Sequence, residues 1–198
     1  MTLDLLPQEI RKLYEIHEWK HACAVLASDF PKQWKDIITV LSEFKLSRSQ
    51  IVASGGGKSL VSKWFDEQFN RLGWEEKGFE TKIVVDETTR ETPTHKVDCV
   101  KGAVALELEW NNKDPFFDRD LNNFRLLFEL RAISVGVIIT KSDDLSEIFQ
   151  GIGDEVWNKY GWSTTWMKKL IPRLEGGGAG GCPVLVFGIS KKLYNERA

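Results

Sequence analysis

The segment Val97-Asp98-Cys99-Val100-Lys101-Gly102-Ala103-Val104-Ala105-Leu106-Glu107-Leu108-Glu109-Trp110 carries the residues whose types and spacing point most directly to chemistry. In an extended strand alternate residues share a face, so Val104, Leu106, Leu108 and Trp110 point one way and Ala103, Ala105, Glu107 and Glu109 the other. The two glutamates then stand roughly 6 to 7 Å apart along the strand. A short turn at Lys101-Gly102 folds Val97 to Cys99 into a neighbouring strand and brings Asp98 alongside Glu107, nine residues further on. Converging carboxylates repel and raise one another's proton affinity unless a cation neutralises them, and hard oxygen ligands suit Mg²⁺. The competing reading is an ordinary antiparallel strand whose glutamates face water.

Two further constellations carry a chemical reading. His17-Glu18-Trp19-Lys20-His21 has the form H-E-x-x-H, which on a helix places two imidazoles on one face for zinc, with Glu18 as base. Lys20 puts a cation inside such a site and no third ligand follows, so surface histidines are the simpler account. Gly55-Gly56-Gly57-Lys58-Ser59 ends like a phosphate-cradling loop, but the required first glycine falls at Val52 and no apolar strand leads in. A flexible loop capping the next helix explains it, with Lys58 and the backbone amides still able to touch a phosphate.

The elements that must position these residues follow from hydrophobic period. Leu6, Ile10, Leu13, Ile16 or His17, Ala22, Val25 and Leu26 predict one long opening helix. Pro31 opens a second, with Trp34, Ile37, Ile38, Leu41 and Phe44 on one face. A polar loop over 45–58 precedes a third helix, capped by Ser59, striped by Val61, Trp64, Phe65 and Leu72, and stopped by Gly73. Phe79 to Val85 and Val97 to Trp110 read as strands, with a loop or hairpin end over 86–94. Asp114-Pro115 starts a helix over 115–131, and Ile133 to Thr140 is a central strand buried on both faces. A helix around Leu145 to Tyr160, an irregular stretch with Trp162, Trp166 and the run Gly176 to Gly181, and a last strand at Pro183 to Ile189 complete the chain. The fold class is α/β: a mixed sheet flanked by helices, with a helical N-terminal part, in a single domain spanning 1–198.

Composition narrows the partners. Among 198 residues, 27 Lys plus Arg against 29 Asp plus Glu give a net charge of −2, so a polyanion must be held by a local patch rather than a global field. The longest apolar runs are far shorter than the ~20 residues that span a bilayer, and the start lacks a secretory pattern, which predicts a cytoplasmic chain. Cys23, Cys99 and Cys182 are odd in number and widely spaced, as buried small hydrophobes would be. The late basic cluster, with Lys168, Lys169 and Arg173 in the stretch from Ser163, is either a second binding surface or a solvated helix face.

The hairpin from Val97 to Trp110 resembles the catalytic hairpin of type II restriction endonucleases of the BamHI, BglII and BstYI group, within the PD-(D/E)xK nucleases. The Trp34 helix after Pro31, the helix ending Leu72-Gly73-Trp74, the Val135 to Thr140 strand and the Pro183 to Ile189 strand recur in matching order, so the likeness covers most of the chain. It implies a restriction-endonuclease-like core and a Mg²⁺-dependent endodeoxyribonuclease cutting both strands of a short palindrome, with a GATC core in this group. By the same resemblance Asp98 and Glu107 ligate Mg²⁺. Glu109 takes the place that most of the superfamily gives to Lys, and it then orients or deprotonates the attacking water. A further acidic residue is expected just after Trp74, Glu76 in preference to Glu75. Asn111, Asn112 and Lys113 would meet DNA, with Ser163, Lys168 and Arg173 as a second set. A homodimer with an interface at helix 115–131, and a DNA methyltransferase acting on the same site, are implied as well. Two other readings stand beside it: a DNA-binding module on this scaffold that does not cut, and a zinc hydrolase using His17, Glu18 and His21.

Overall fold

The computed structural model describes residues 2–54, 57–93 and 95–196. Gly55 and Gly56 of the glycine run, and Thr94 at the end of the predicted loop, lie outside the described residues. After a 3-10 turn at Thr2–Leu5 come α1 (Gln8–Leu13), β1 (Tyr14–Trp19), α2 (Ala22–Asp29), α3 (Pro31–Glu43), β2 (Leu46–Ser47), α4 (Arg48–Val52) and α5 (Leu60–Arg71). There follow β3 (Glu75–Lys77), β4 (Glu80–Val85), β5 (Thr88–Pro93), β6 (Val97–Lys101), β7 (Val104–Glu109), α6 (Phe116–Glu129) and β8 (Val135–Lys141). The chain closes with α7 (Leu145–Ile152), α8 (Asp154–Tyr160), α9 (Met167–Glu175), β9 (Val184–Ile189) and β10 (Tyr194–Asn195).

Among the described residues the main sheet runs β1-β9-β8-β7-β6-β3. The strands β7, β8 and β9 are parallel, while β6 joins β7, and β1 joins β9, antiparallel. Both faces are covered, which is why β7, β8 and β9 are buried along their whole length. Val104, Leu106, Leu108 and Trp110 of β7 and its exit belong to the larger core with α3 and α5, while Ala105 lies in a second core with Phe117, Leu121 and Phe124 of α6. The alternation read from sequence is therefore the real partition of the hairpin between two faces. Gly136 of β8 lets α6 lie close: a Cβ there would strike the Phe124 ring. That close approach sets the helix directly over the glutamates of β7.

Several expectations are corrected. The long opening helix is broken, because Tyr14–Trp19 is strand and pairs with all six residues of β9. Six extended residues satisfy the backbone groups on the open edge of β9, a tertiary gain that overrides the local helical period. Lys20 and His21, with φ of 53° and 58°, make the left-handed corner that ends the strand. His17 and His21 therefore do not share a helix face, and Glu18 instead accepts from the Cys23 amide at 3.3 Å. The zinc reading loses its geometric basis. The loop over 45–58 contains β2 and α4, the latter held by a capping box between Ser47 and Gln50. The element that precedes the glycines is α4, in keeping with the expectation that no apolar strand leads into them. The helix over 145–160 is two helices divided at Gly153, and the irregular stretch before the last strand contains α9. Other expectations hold: Ser59 accepts from the Ser62 amide at 3.0 Å, Gly73 ends α5 with φ of 80°, and all three cysteines are buried.

Candidate active site

The turn at Gly102, with φ of 60°, folds β6 onto β7 in the register Cys99↔Leu106, and regular pairing stops there. Side chains continue it: the Asp98 amide donates to Glu107 Oε2 at 3.2 Å and the Leu108 amide to Asp98 Oδ2 at 3.1 Å. Asp98 and Glu107 are thus locked alongside each other, as their spacing predicts. Glu109, two residues on, faces the same way and accepts from Asn112 Nδ2 at 3.0 Å. Glu107 and Glu109 are not in bulk water; each is only 1% exposed.

The helix above them adds two residues that sequence reasoning missed. Asp120 is 1% exposed and Arg119 reaches it at 2.7 Å and Glu109 Oε1 at 3.6 Å. Asp120 sits three residues after Phe117 and four before Phe124, so it falls on the apolar stripe of α6. A carboxylate on a core-facing stripe was the available signal.

Burial dominates the electrostatics. Leaving water costs an ionised carboxylate several kcal/mol unless it is matched by positive charge, and here one guanidinium serves three acids. Burial first, then the charges of Asp120 and Asp98, hold the Glu107 carboxyl well above its ordinary range. Burial and Asp120 push Glu109 up to about 9, against the opposing pull of Asn112 and Arg119. Asp120 is raised by burial as well. In the free chain at neutral pH Glu109 therefore carries a proton. Beyond the proton that Glu109 shares with Asp120, Glu109 Oε2 and Asp120 Oδ2 find no hydrogen-bond donor.

Asp98 and Arg119 open into a groove of about 430 Å³ lined also by Lys58, Ser59, Lys96, Asn111, Asn112 and Lys159. Four cations line this groove, Lys58 paired with Asp66, Lys96 with Glu76 and Arg119 with Asp120, so a polyanion held there takes the place of these acids. Lys58, from the glycine-rich segment, pairs with Asp66 of α5, whose carboxyl is raised by burial and, further, by the charge of Asp98. Asp66 is a third residue that the sequence reading passed over. Glu76, on the exposed strand β3, pairs with the groove residue Lys96 at 2.9 Å, and its charge acts on Asp66 and Lys58. Glu75 is exposed in the same strand, opposite Val100.

The two sets of predicted contact residues converge. Lys113 bridges to Thr164, Lys113 Nζ donates to Ser163 Oγ at 3.4 Å, and the Thr165 amide donates to the Asn112 carbonyl at 2.9 Å. Asn111 Oδ1 is buried with no hydrogen-bond partner. Lys168 lies over the ring of Trp162, itself exposed. Arg173 differs from expectation: its Nε donates to Asp118 at 2.9 Å and its Nη1 to the Lys169 carbonyl at 2.7 Å, so it clamps α9 to α6.

On the opposite face, Lys141 at the end of β8 is fully buried among the rings of Trp110, Tyr160 and Trp166. Its ammonium donates to the Trp110 carbonyl and to Thr164 Oγ1. Thr140 and Thr165 donate to the Glu109 carbonyl at 2.8 and 3.2 Å. The exit of β7 is thereby fixed from both sides, which holds Glu109 in place.

Among the described residues no three His, Cys, Asp or Glu side chains stand ready as a metal-ligand set. The donor chemistry nonetheless fits a hard divalent cation, because buried carboxyl oxygens reached by no donor beyond a shared proton sit beside Asp98 and Glu107.

Acids set beneath a basic groove suit a hydrolase acting on a polyanion, since cations retain the phosphates while the acids stay at the bond to be cut. Residues 14–189 match the model of the family described as restriction endonuclease BglII/BglIII, and the chain belongs to that family. It is a type II restriction endonuclease, a hydrolase that acts on DNA. No curated protein matches the chain. No helix among the described residues is long and apolar enough to cross a membrane.

Proposed function

We propose that the chain is a single-domain, Mg²⁺-dependent endonuclease that cuts both strands of a short palindromic duplex at the groove lined by Asp98, with Glu107 and Glu109 buried beneath it. The observation that carries this reading is the interlocked pair Asp98 and Glu107, of which Asp98 lines the groove, with the buried Glu109 two residues on. Asp98 and Glu107 are the residues that would hold the cation, which when bound supplies charge neutralisation at the phosphate and a more acidic water. Glu109 is protonated in the free chain, so it accepts a proton from water only after positive charge in the groove has lowered its pKa. Asn112 holds the Glu109 carboxyl in orientation through its 3.0 Å bond. Asn111, Lys113 and Ser163 are the contacts proposed for DNA, Asn side chains matching adenine edges and Lys113 a phosphate. Lys168 joins them from the start of α9.

Cutting both strands of a palindrome with equivalent chemistry calls for two sites related by a two-fold axis, hence a homodimer. The apolar stripe of α6 is already used against its own sheet, so any interface there uses the outward residues Asn122, Arg125 and Glu129. A palindrome with a GATC core, a methyltransferase of the same specificity and action in the cytoplasm complete the reading. The test is digestion of unmethylated plasmids by the purified chain with Mg²⁺ or with EDTA, beside Glu107→Ala. Discrete fragments confined to wild type with Mg²⁺ are expected. Duplex binding without cleavage in every divalent metal tried would favour a module that does not cut.

A further inference from the structure

Arg119 is the one cation, among the described residues, in ion-pair contact with the buried acids of β7 and α6, and it is also part of the groove wall. Its guanidinium lies 2.7 Å from Asp120 and 3.6 Å from Glu109, while 29% of the side chain remains exposed. The ring of Phe116, also on the groove, stacks beneath it at 4.2 Å and keeps the planar group along the groove surface. The contact to Glu109 is long for a charge-assisted bond, and no donor reaches Glu109 Oε2 or Asp120 Oδ2, so the guanidinium pairs with Asp120 without filling the bonding capacity of the cluster. A second positive charge entering among these acids would repel Arg119 at close range and compete for the same oxygens.

We propose that Arg119 is a place-holding cation that, paired with Asp120 beside Glu109, supplies the positive charge of the acid cluster in the DNA-free enzyme and gives way when the divalent ion enters, its guanidinium then binding the phosphate being cut. The proposal rests on the metal-assisted reading above and adds a residue with two successive partners. Arg119 suits the second partner because its fork pairs bidentately with phosphate oxygens and because a rotation about its own side chain, with α6 held by Phe117, Leu121 and Phe124, suffices to reach the groove. The exchange makes metal loading and phosphate capture opposite ends of one movement.

A place-holder competes with the metal, so removing it has effects of opposite sign on metal binding and on cleavage. In Arg119→Met, which keeps the stem over Phe116, the affinity for Mn²⁺ alone, measured calorimetrically, is expected to rise at least about fivefold, the effect of one charge about 4 Å away even under bulk-water screening. The single-turnover cleavage rate of a plasmid cut by wild type is expected to fall by about 10² to 10³-fold. Arg119→Lys, which restores a single charge without the fork, is expected to return Mn²⁺ affinity toward the wild-type value while recovering cleavage only in part. If Arg119→Met does not fold by circular dichroism, Arg119→Lys decides: Mn²⁺ affinity within twofold of wild type with slowed cleavage supports the place-holder. Unchanged or weaker Mn²⁺ binding in Arg119→Met, or unaltered cleavage in either variant, overturns it. A wild-type chain that neither binds Mn²⁺ nor cuts any duplex overturns the metal-assisted reading itself, a result distinct from wild-type cleavage with no gain in metal affinity.

Discussion

Two buried charged sites lie on neighbouring strands at the same end of the sheet, and they are resolved in opposite ways. Lys141, on the face shared with Trp110, has two oxygen acceptors and three aromatic rings around its ammonium. Glu109, on the face under α6, shares one guanidinium with Asp120, and no donor beyond their shared proton reaches Glu109 Oε2 or Asp120 Oδ2. Burial alone does not mark a working residue; incomplete satisfaction does. A buried cation held by carbonyl, hydroxyl and rings fixes structure, whereas neighbouring acids that share one guanidinium keep capacity for a ligand.

The contrast breaks most visibly at Glu109. Glu109→Gln is expected to lower cleavage by about 10² to 10³-fold without lowering folding stability, since at neutral pH the native carboxyl is protonated while that of the unfolded chain ionises, a cost the amide does not carry. Plasmid cleavage rates read beside urea denaturation check both halves. A large stability loss would mean that Glu109 is as structural as Lys141.

Lys141→Met should behave in the reverse manner. It leaves the Trp110 carbonyl without its donor, at a cost of about 1–3 kcal/mol in urea unfolding near pH 10, where the burial penalty on the ammonium has faded. Burial holds the Lys141 ammonium well below its ordinary 10.5. As pH falls from 10.5, the unfolded chain therefore takes up this proton before the folded chain does. The stability associated with this group is full above 10.5 and is lost as pH falls toward the folded pKa. The wild type should accordingly gain stability over Lys141→Met as pH is raised from about 8 to about 10, and a gap that stays constant would rule out a depressed Lys141.

The smallest effects belong to the rim. Lys113→Ala is expected to reduce the salt dependence of DNA binding by about one unit of slope, whereas Arg173→Ala, whose charge is engaged by Asp118 and Asp114, should change the slope less and cost at most about 1 kcal/mol of stability. Equal slopes for the two variants would return Arg173 to the DNA surface. Fluorescence anisotropy across a salt series makes the distinction.

What could be read from the chain alone follows the range of the interactions involved. The β6–β7 hairpin was legible because alternation and a two-residue turn are local, and with it came the pairing of Asp98 and Glu107. The opening segment was misread because Ile10, Leu13 and Ile16 satisfy a helical period, while the partner that makes Tyr14–Trp19 extended is β9, some 170 residues away. Lys141 was hidden for the same reason, its cage being assembled from Trp110, Tyr160 and Trp166. Asp120 was different. Its position on the stripe of α6 was visible, but only the packing of Phe124 on Gly136 shows that this stripe lies over Glu109.

The three buried thiols offer an experimental dividend. Burial, aided by Glu18, pushes Cys23 up to about 12, burial does the same for Cys182, and Cys99 is raised too. At neutral pH none presents a thiolate to an alkylating reagent, so modification proceeds only when the chain opens. Because Cys99 immediately follows Asp98, its alkylation serves as a stopwatch on exposure of the hairpin, timed separately from Cys182 at the entry to β9 by mass spectrometry of the labelled peptides.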